Sequence, residues 1–322
     1  MAASVLNAPH FQNEDAAFAY VEARLWPHGP TCHHCGNADA SRMRRMQGKT
    51  TRQGLVKCYE CGKPFTVRMG TIFESSHLPL HLWLQVIYLM CASKKGISTR
   101  QIQRMLSCSL KTAWFLTHRI REAMTNGSLA PMGGEGATIE ADTTFVGGKE
   151  KNKHAVKRDA GNIGGKGKLI VHTLVERNGQ SRSHCIQSVS GLNLRPILNT
   201  HADKKSVLMT DIAGGYLHIG KAFARHEMVD HGADEYVRGD AYTNTVEGYF
   251  SVLKRGLNGI YHSVSEAHLH RYLAEFDFRY SNREKLGVND TMRADLALEG
   301  VKGNRLTYQT ACRGRTAEEA QA

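Results

Sequence analysis

The stretch Thr138–Val146, TIEADTTFV, decides how the rest of the chain is read. Apolar and polar residues alternate through it, the period of a half-buried strand, and Gly147-Gly148 ends it. Asp142 stands in its middle. Stability alone accounts poorly for such an aspartate, because a carboxylate among apolar neighbours is costly unless it is paired. Working outward, Leu169–Glu176 and 183–189 read as two further strands, and 194–201 reads as a helix. Residues 206–210 form a short apolar strand ending at Asp211, and a fifth strand is expected over 223–229. Residues 242–257 then read as a helix, with Val246, Tyr249, Phe250 and Leu253 at helical spacing.

Three strands in succession, a helix, a strand, a strand and a helix is the order of an α/β ribonuclease-H-like domain, a mixed sheet with flanking helices. In that order the first and fourth strands are neighbours, so Asp142 and Asp211 are expected side by side. Adjacent carboxylates repel unless cations lie between them, and Mg²⁺ or Mn²⁺ suits an oxygen-only site that leaves room for phosphate. Glu247 on the last helix would complete the set, with Asn244 one turn earlier as a second candidate ligand. Lys254 lies two turns after Glu247 on the same face, placed to meet a phosphate beside the ions.

The charge agrees with a polyanionic partner. Lys and Arg number 42 against 30 Asp and Glu, a net +12. Residues 1–131 hold 16 basic and 7 acidic side chains, whereas 132–322 hold 26 and 23, the balance expected of a domain that concentrates carboxylates. Residues 149–168 carry seven basic residues and four glycines, a flexible loop suited to gripping a backbone through Lys149, Lys151 and Lys153, with Arg255 a further contact on the helix. The most apolar run, 80–92, is too short to span a bilayer and contains His81 and Gln85. The first residues lack the basic-then-apolar pattern of a signal peptide, so a cytoplasmic protein with no membrane partner is expected.

The N-terminal part carries metal-ligand spacing. Cys32-x-x-Cys35 and Cys58-x-x-Cys61 are each followed by glycine, which relieves the turn a thiolate pair makes around one ion. Two such knuckles supply the four thiolates of a structural zinc site, and the polar, basic stretch between them reads as a zinc ribbon with Arg44 and Arg45 available to DNA. Residues 80–93 read as a buried helix. Ser98 caps a short helix Thr99–Leu106, a turn follows at 107–109, and a longer helix covers 110–124. Short helix, tight turn and longer helix make a helix-turn-helix pattern, with Lys111, His118, Arg119 and Arg121 expected on the outer face.

The cysteine ribbon, DTTFVGG at 142–148, MTD at 209–211, EYVRG at 235–239, TNTVEGYFSVLKRGLNGIYHSVS at 243–265 and YLAEFDFRYSNR at 272–283 together resemble DDE transposases of the insertion sequence 1595 family. The resemblance covers about residues 15–310 and is most specific over 243–283. It implies Asp142, Asp211 and Glu247 as the metal-binding triad, Lys254 as the accompanying basic residue and terminal inverted repeats as the bound DNA. It also implies strand cleavage and transfer, and a homo-oligomer that joins two ends. Thr143 departs from the family, which often has an acid there. The expected organisation is a zinc ribbon at 15–70, a helix-turn-helix segment at 78–126, the catalytic domain at 135–285 and a C-terminal extension at 286–322.

Two other readings use other residues. A zinc-ribbon and helix-turn-helix regulator without catalysis accounts for the basic N-terminal half but leaves Asp142 without a role. His268, His270 and Arg271 with a nucleophilic Tyr280 or Tyr308 would make a tyrosine recombinase. On a helix, however, residues two apart diverge, so His268 and His270 do not converge on one ion.

Overall fold

The computed structural model describes residues 4–125, 130–148, 152–158, 161, 165, 167–212, 214–230, 237–304 and 306. Lys149, Lys151, Tyr308 and part of the 235–239 motif lie outside them. Helix α1 (Pro9–Gln12) precedes the segment expected as the ribbon from residue 15, and α2 (Glu14–Leu25) opens it. Asn13 caps α2 by accepting from the Ala16 N–H, and Ala17, Phe18, Val21 and Leu25 form its buried stripe. The ribbon is a three-stranded antiparallel sheet of β1 (Met43–Arg45), β2 (Val56–Cys58) and β3 (Pro64–Phe65), in that spatial order.

Helix α3 (Leu80–Ala92) is buried nearly all round, as its composition demands. It starts after Pro79, and the Glu14 carboxylate accepts its first two amides, Leu80 N at 2.8 Å and His81 N at 3.1 Å. Ser98 opens α4 (Thr99–Leu106) by accepting from Gln101 N, as expected. Ser107 takes the left-handed conformation that ends α4, and Ser109 caps α5 (Leu110–Ala123) through Thr112 N.

Strand β4 (Thr138–Val146) is followed by β5 (Leu169–Glu176), β6 (Ser181–Ile186), α6 (Gly191–His201), β7 (Val207–Asp211), β8 (Arg225–Val229) and α7 (Asn244–Gly256). The sheet order is β6-β5-β4-β7-β8; β5 is antiparallel to β4 and β6, and β7 is parallel to β4 and β8. This is the ribonuclease-H-like arrangement read from the element order. On one face α6 packs Leu194 and Leu198 onto Ile139, Ala141, Leu174 and Leu208. On the other, Val246, Tyr249, Phe250 and Leu253 of α7 join α8 (Glu266–Ser281) over Val171 and Val175.

The last helix, α9 (Asp290–Glu299), lies in the segment that reads as a separate C-terminal extension. It packs on α3, and Ala297, Leu298 and Val301 sit in the same core as α1 to α5, together with Phe278 of α8. A bridge between Thr71 and Lys302 closes this return. Within the described residues of this segment, the apolar face of α9 is thus buried in the helical core.

Candidate active site and metal centre

The four cysteines meet at the ribbon's tip. Cys32 and Cys61 sulfurs are 3.7 Å apart, as are those of Cys35 and Cys58, and all four ligand atoms lie within 4.8 Å of one another. A tetrahedral ion with ~2.3 Å metal–sulfur bonds needs sulfurs roughly 3.8 Å apart, so the spacing fits zinc. Gly36 and Gly62 have φ of +75° and +72°, the conformation the knuckles need. Arg45 pairs with Glu22, and Arg44 is exposed on β1.

In the catalytic domain the parallel pairing of β4 with β7 ends at Ala141 opposite Thr210, so the next residues, Asp142 and Asp211, emerge side by side. Burial, and then the Asp211 charge, push the Asp142 carboxyl up to about 7. The Thr143 amide, which donates to Asp142 Oδ1 at 2.6 Å, lowers it; Glu247 adds to the rise and Lys254 opposes it. The charges of Asp211, Glu247 and Lys254 thus all act on Asp142. Glu247 is exposed in the first turn of α7, and Lys254 is exposed in its last. Asn244 is exposed at the helix's first position.

Among the described residues only the cysteines bring three or more ligand atoms within 4.8 Å, so the three carboxylates are spaced more widely. An all-carboxylate set with mutual repulsion suits hard divalent cations, which take oxygen ligands.

Two groups at the site escape sequence reading. Tyr216 is fully buried with its hydroxyl 3.2 Å from His172 Nδ1; burial and the Asp142 and Asp211 charges hold that phenol protonated. Glu140, two residues before Asp142, is also fully buried and holds the start of α7.

The DNA-facing expectations divide. Lys111 is exposed at the start of α5, and Arg100 and Arg104 are exposed on α4. Arg119 is a correction. It is 4% exposed, donates to Glu74 O at 2.7 Å and lies over the Trp83 and Phe115 rings. His118 and Arg121 are likewise buried, since α5 is covered by α3 and α9 and also by α8. Arg255 is exposed and folds back on Ser251, and Lys153 is exposed in the loop after β4. Tyr280 packs on Tyr249 and the Arg283 guanidinium, while His268 packs on Trp114 and His118, so these residues serve the core.

A four-cysteine ribbon followed by a ribonuclease-H-like domain with side-by-side aspartates on adjacent parallel strands defines a DDE-type transposase architecture. Residues 133–281 match the ISXO2-like transposase domain family, and residues 12–64 match the transposase zinc-ribbon domain family. By both domains the chain belongs to the insertion sequence 1595 transposases. It is also 29% identical over 281 residues to an uncharacterized protein in the transposable element ISH50 of Halobacterium salinarum, covering 84% of this chain and 91% of that relative. Among the described residues no helix is long and apolar enough to cross a membrane.

Proposed function

We propose that this transposase binds the terminal inverted repeats of its element and cuts and joins DNA in a reaction that depends on Mg²⁺ or Mn²⁺. The observation that carries the reading is that Asp142, in the middle of β4, and Asp211, at the end of β7, lie side by side on adjacent parallel strands, with the Glu247 charge acting on the same group. Asp142, Asp211 and Glu247 would hold the ions, which supply activation of water and stabilisation of the leaving 3′ oxygen. Lys254 meets a phosphate oxygen beside them. Water adds to phosphorus, the P–O3′ bond breaks, and a free 3′-hydroxyl and a 5′-phosphate result. The same carboxylates then face target DNA, where that hydroxyl displaces a second 3′ oxygen. Glu247 is favoured over Asn244 as the third ligand because an anionic carboxylate oxygen binds a hard divalent cation more strongly than a neutral amide oxygen.

Zinc shapes the ribbon. The ribbon, with Arg44 and Arg45, and the exposed basic residues of α4 and α5, Lys111 among them, would hold the ends, and Lys149, Lys151, Lys153 and Arg255 would hold the backbone nearer the cut. Joining two ends in one event calls for a homo-oligomer on DNA. The test is cleavage of an end-containing duplex with Mg²⁺ by the protein and by Asp142→Asn. Cutting by the first and loss of at least about a thousandfold in the second, with binding retained, supports the reading. Binding in both and cutting in neither supports a regulator.

A further inference from the structure

Glu140 shares a face of β4 with Asp142, and α7 packs against this strand. Its carboxylate is fully buried, a costly position unless donors meet its oxygens. Four do. Oε2 accepts from the backbone N–H of Thr245 at 2.8 Å and of Val246 at 3.0 Å. Oε1 accepts from Thr245 Oγ1 at 2.8 Å and Arg177 Nε at 2.6 Å. Thr245 and Val246 are the second and third residues of α7, whose own N-cap, Thr243, makes no side-chain cap. A carboxylate 105 residues away therefore takes the place of the local cap, at the positive end of the helix.

Arg177 extends the grip. One terminal nitrogen donates to Asp240 O at 3.0 Å, the other to Tyr242 O at 2.8 Å, and the guanidinium lies 3.5 Å from the centre of the Tyr242 ring. The chain entering α7 and the first turn of α7 are thus fastened to the strand that carries Asp142. Glu247 follows directly after the two captured amides.

We propose that Glu140 and Arg177 form a positioning clamp that fixes the first turn of α7, and with it Glu247, against Asp142 and Asp211. The inference rests on the reading of those three acids as an ion site. A local Ser or Asp cap would satisfy the same amides but would leave the helix free to tilt relative to β4. Capping from β4 removes that freedom at the point where the third acid departs.

The test uses the full-length protein, Glu140→Gln, Arg177→Lys and, as a control, Glu247→Gln. Mn²⁺ affinity is measured without DNA by electron paramagnetic resonance, kcat and KM on duplex DNA as a function of Mn²⁺, and melting temperature without metal. The clamp predicts that folded Glu140→Gln binds Mn²⁺ about tenfold more weakly or worse, the range expected when a group orienting a ligand is removed. Its kcat should fall with KM for DNA unchanged and recover as Mn²⁺ is raised. Arg177→Lys, which leaves the two α7 amides bonded to Glu140, should lose less. A lowered melting temperature with unchanged Mn²⁺ affinity overturns the clamp. If Glu140→Gln does not fold, Arg177→Lys decides alone: weakened Mn²⁺ binding supports the clamp and unchanged binding overturns it. If Glu247→Gln also binds Mn²⁺ normally, the ion-site reading fails; if only Glu247→Gln loses binding, the clamp fails and the ion site stands.

Discussion

His118 shows what a buried residue does to the response to pH. Neither ring nitrogen has a hydrogen-bond partner among the described residues, and the ring is packed against Trp114, His268 and Tyr272. Burial, then the Arg121 and Arg271 charges, push it down to about 2. The unfolded chain takes up this proton near 6.5 and the folded chain does not. Stability from this residue is therefore complete above about pH 6.5 and falls below it by about 1.4 kcal/mol per pH unit. His172 and His184, pushed by burial to about 3 and about 4, add to the same slope. Denaturant unfolding of His118→Phe between about pH 6.5 and 4.5 should show a dependence shallower by one proton than the parent; equal slopes would contradict the burial argument. Asp142 is legible in the sequence because a carboxylate set in an apolar strand costs stability and points to chemistry instead. Glu140 is not, since in TIEADTTFV it reads as an ordinary polar alternate, and its partners lie in α7 and at residue 177. Arg119 and Arg121 read as outward-facing because helical period reports one buried face and α5 has two.

At the scale of elements, the ribbon depends on its ion. Its small core is Cys32, Val56, Cys58 and Phe65, and two of these four are cysteines of the zinc set. Without zinc little remains to hold β1, β2 and β3. Cys58→Ser should lose bound zinc and weaken DNA-end binding, while the thermal transition of the catalytic domain persists. Elemental analysis and calorimetry check this, and unchanged zinc content would reject the ligand set. Strand and helix types are readable because apolar and polar residues alternate along TIEADTTFV and 80–92 is apolar nearly throughout, although β4 is covered on both faces and Ile139, Glu140 and Ala141 are all buried. Ends are less so: α7 starts at Asn244, two residues past the expected 242, because its cap comes from Glu140 and leaves no local signal. The stripe of Ala17, Phe18, Val21 and Leu25 is present in the sequence at helical spacing, within the segment that also carries the cysteine pairs.

Across the whole molecule, charge buried between α5 and α8 ties the helical part to the catalytic domain. Glu275 is fully buried, accepts from Arg121 Nε at 2.6 Å, also pairs with Arg279, and receives the Tyr261 hydroxyl at 2.6 Å. Burial pushes its carboxyl up, but Arg279 and Arg121 outweigh this and hold it at about 2. Glu275→Gln would leave two buried guanidinium groups poorly matched, at a cost of roughly 3–5 kcal/mol by denaturant unfolding; a change under about 1 kcal/mol would contradict the network's role. This junction and the return of α9 onto α3 join pieces that read as separate along the chain. Such contacts link residues far apart in sequence and leave no local pattern. The catalytic topology, by contrast, follows from element order alone. That topology brings Asp142 beside Asp211, and an anomalous difference map from crystals grown with Mn²⁺ tests what they hold. Density between Asp142, Asp211 and Glu247 is predicted, with the zinc at the four cysteines as internal reference. A zinc peak with nothing between the three acids would contradict it.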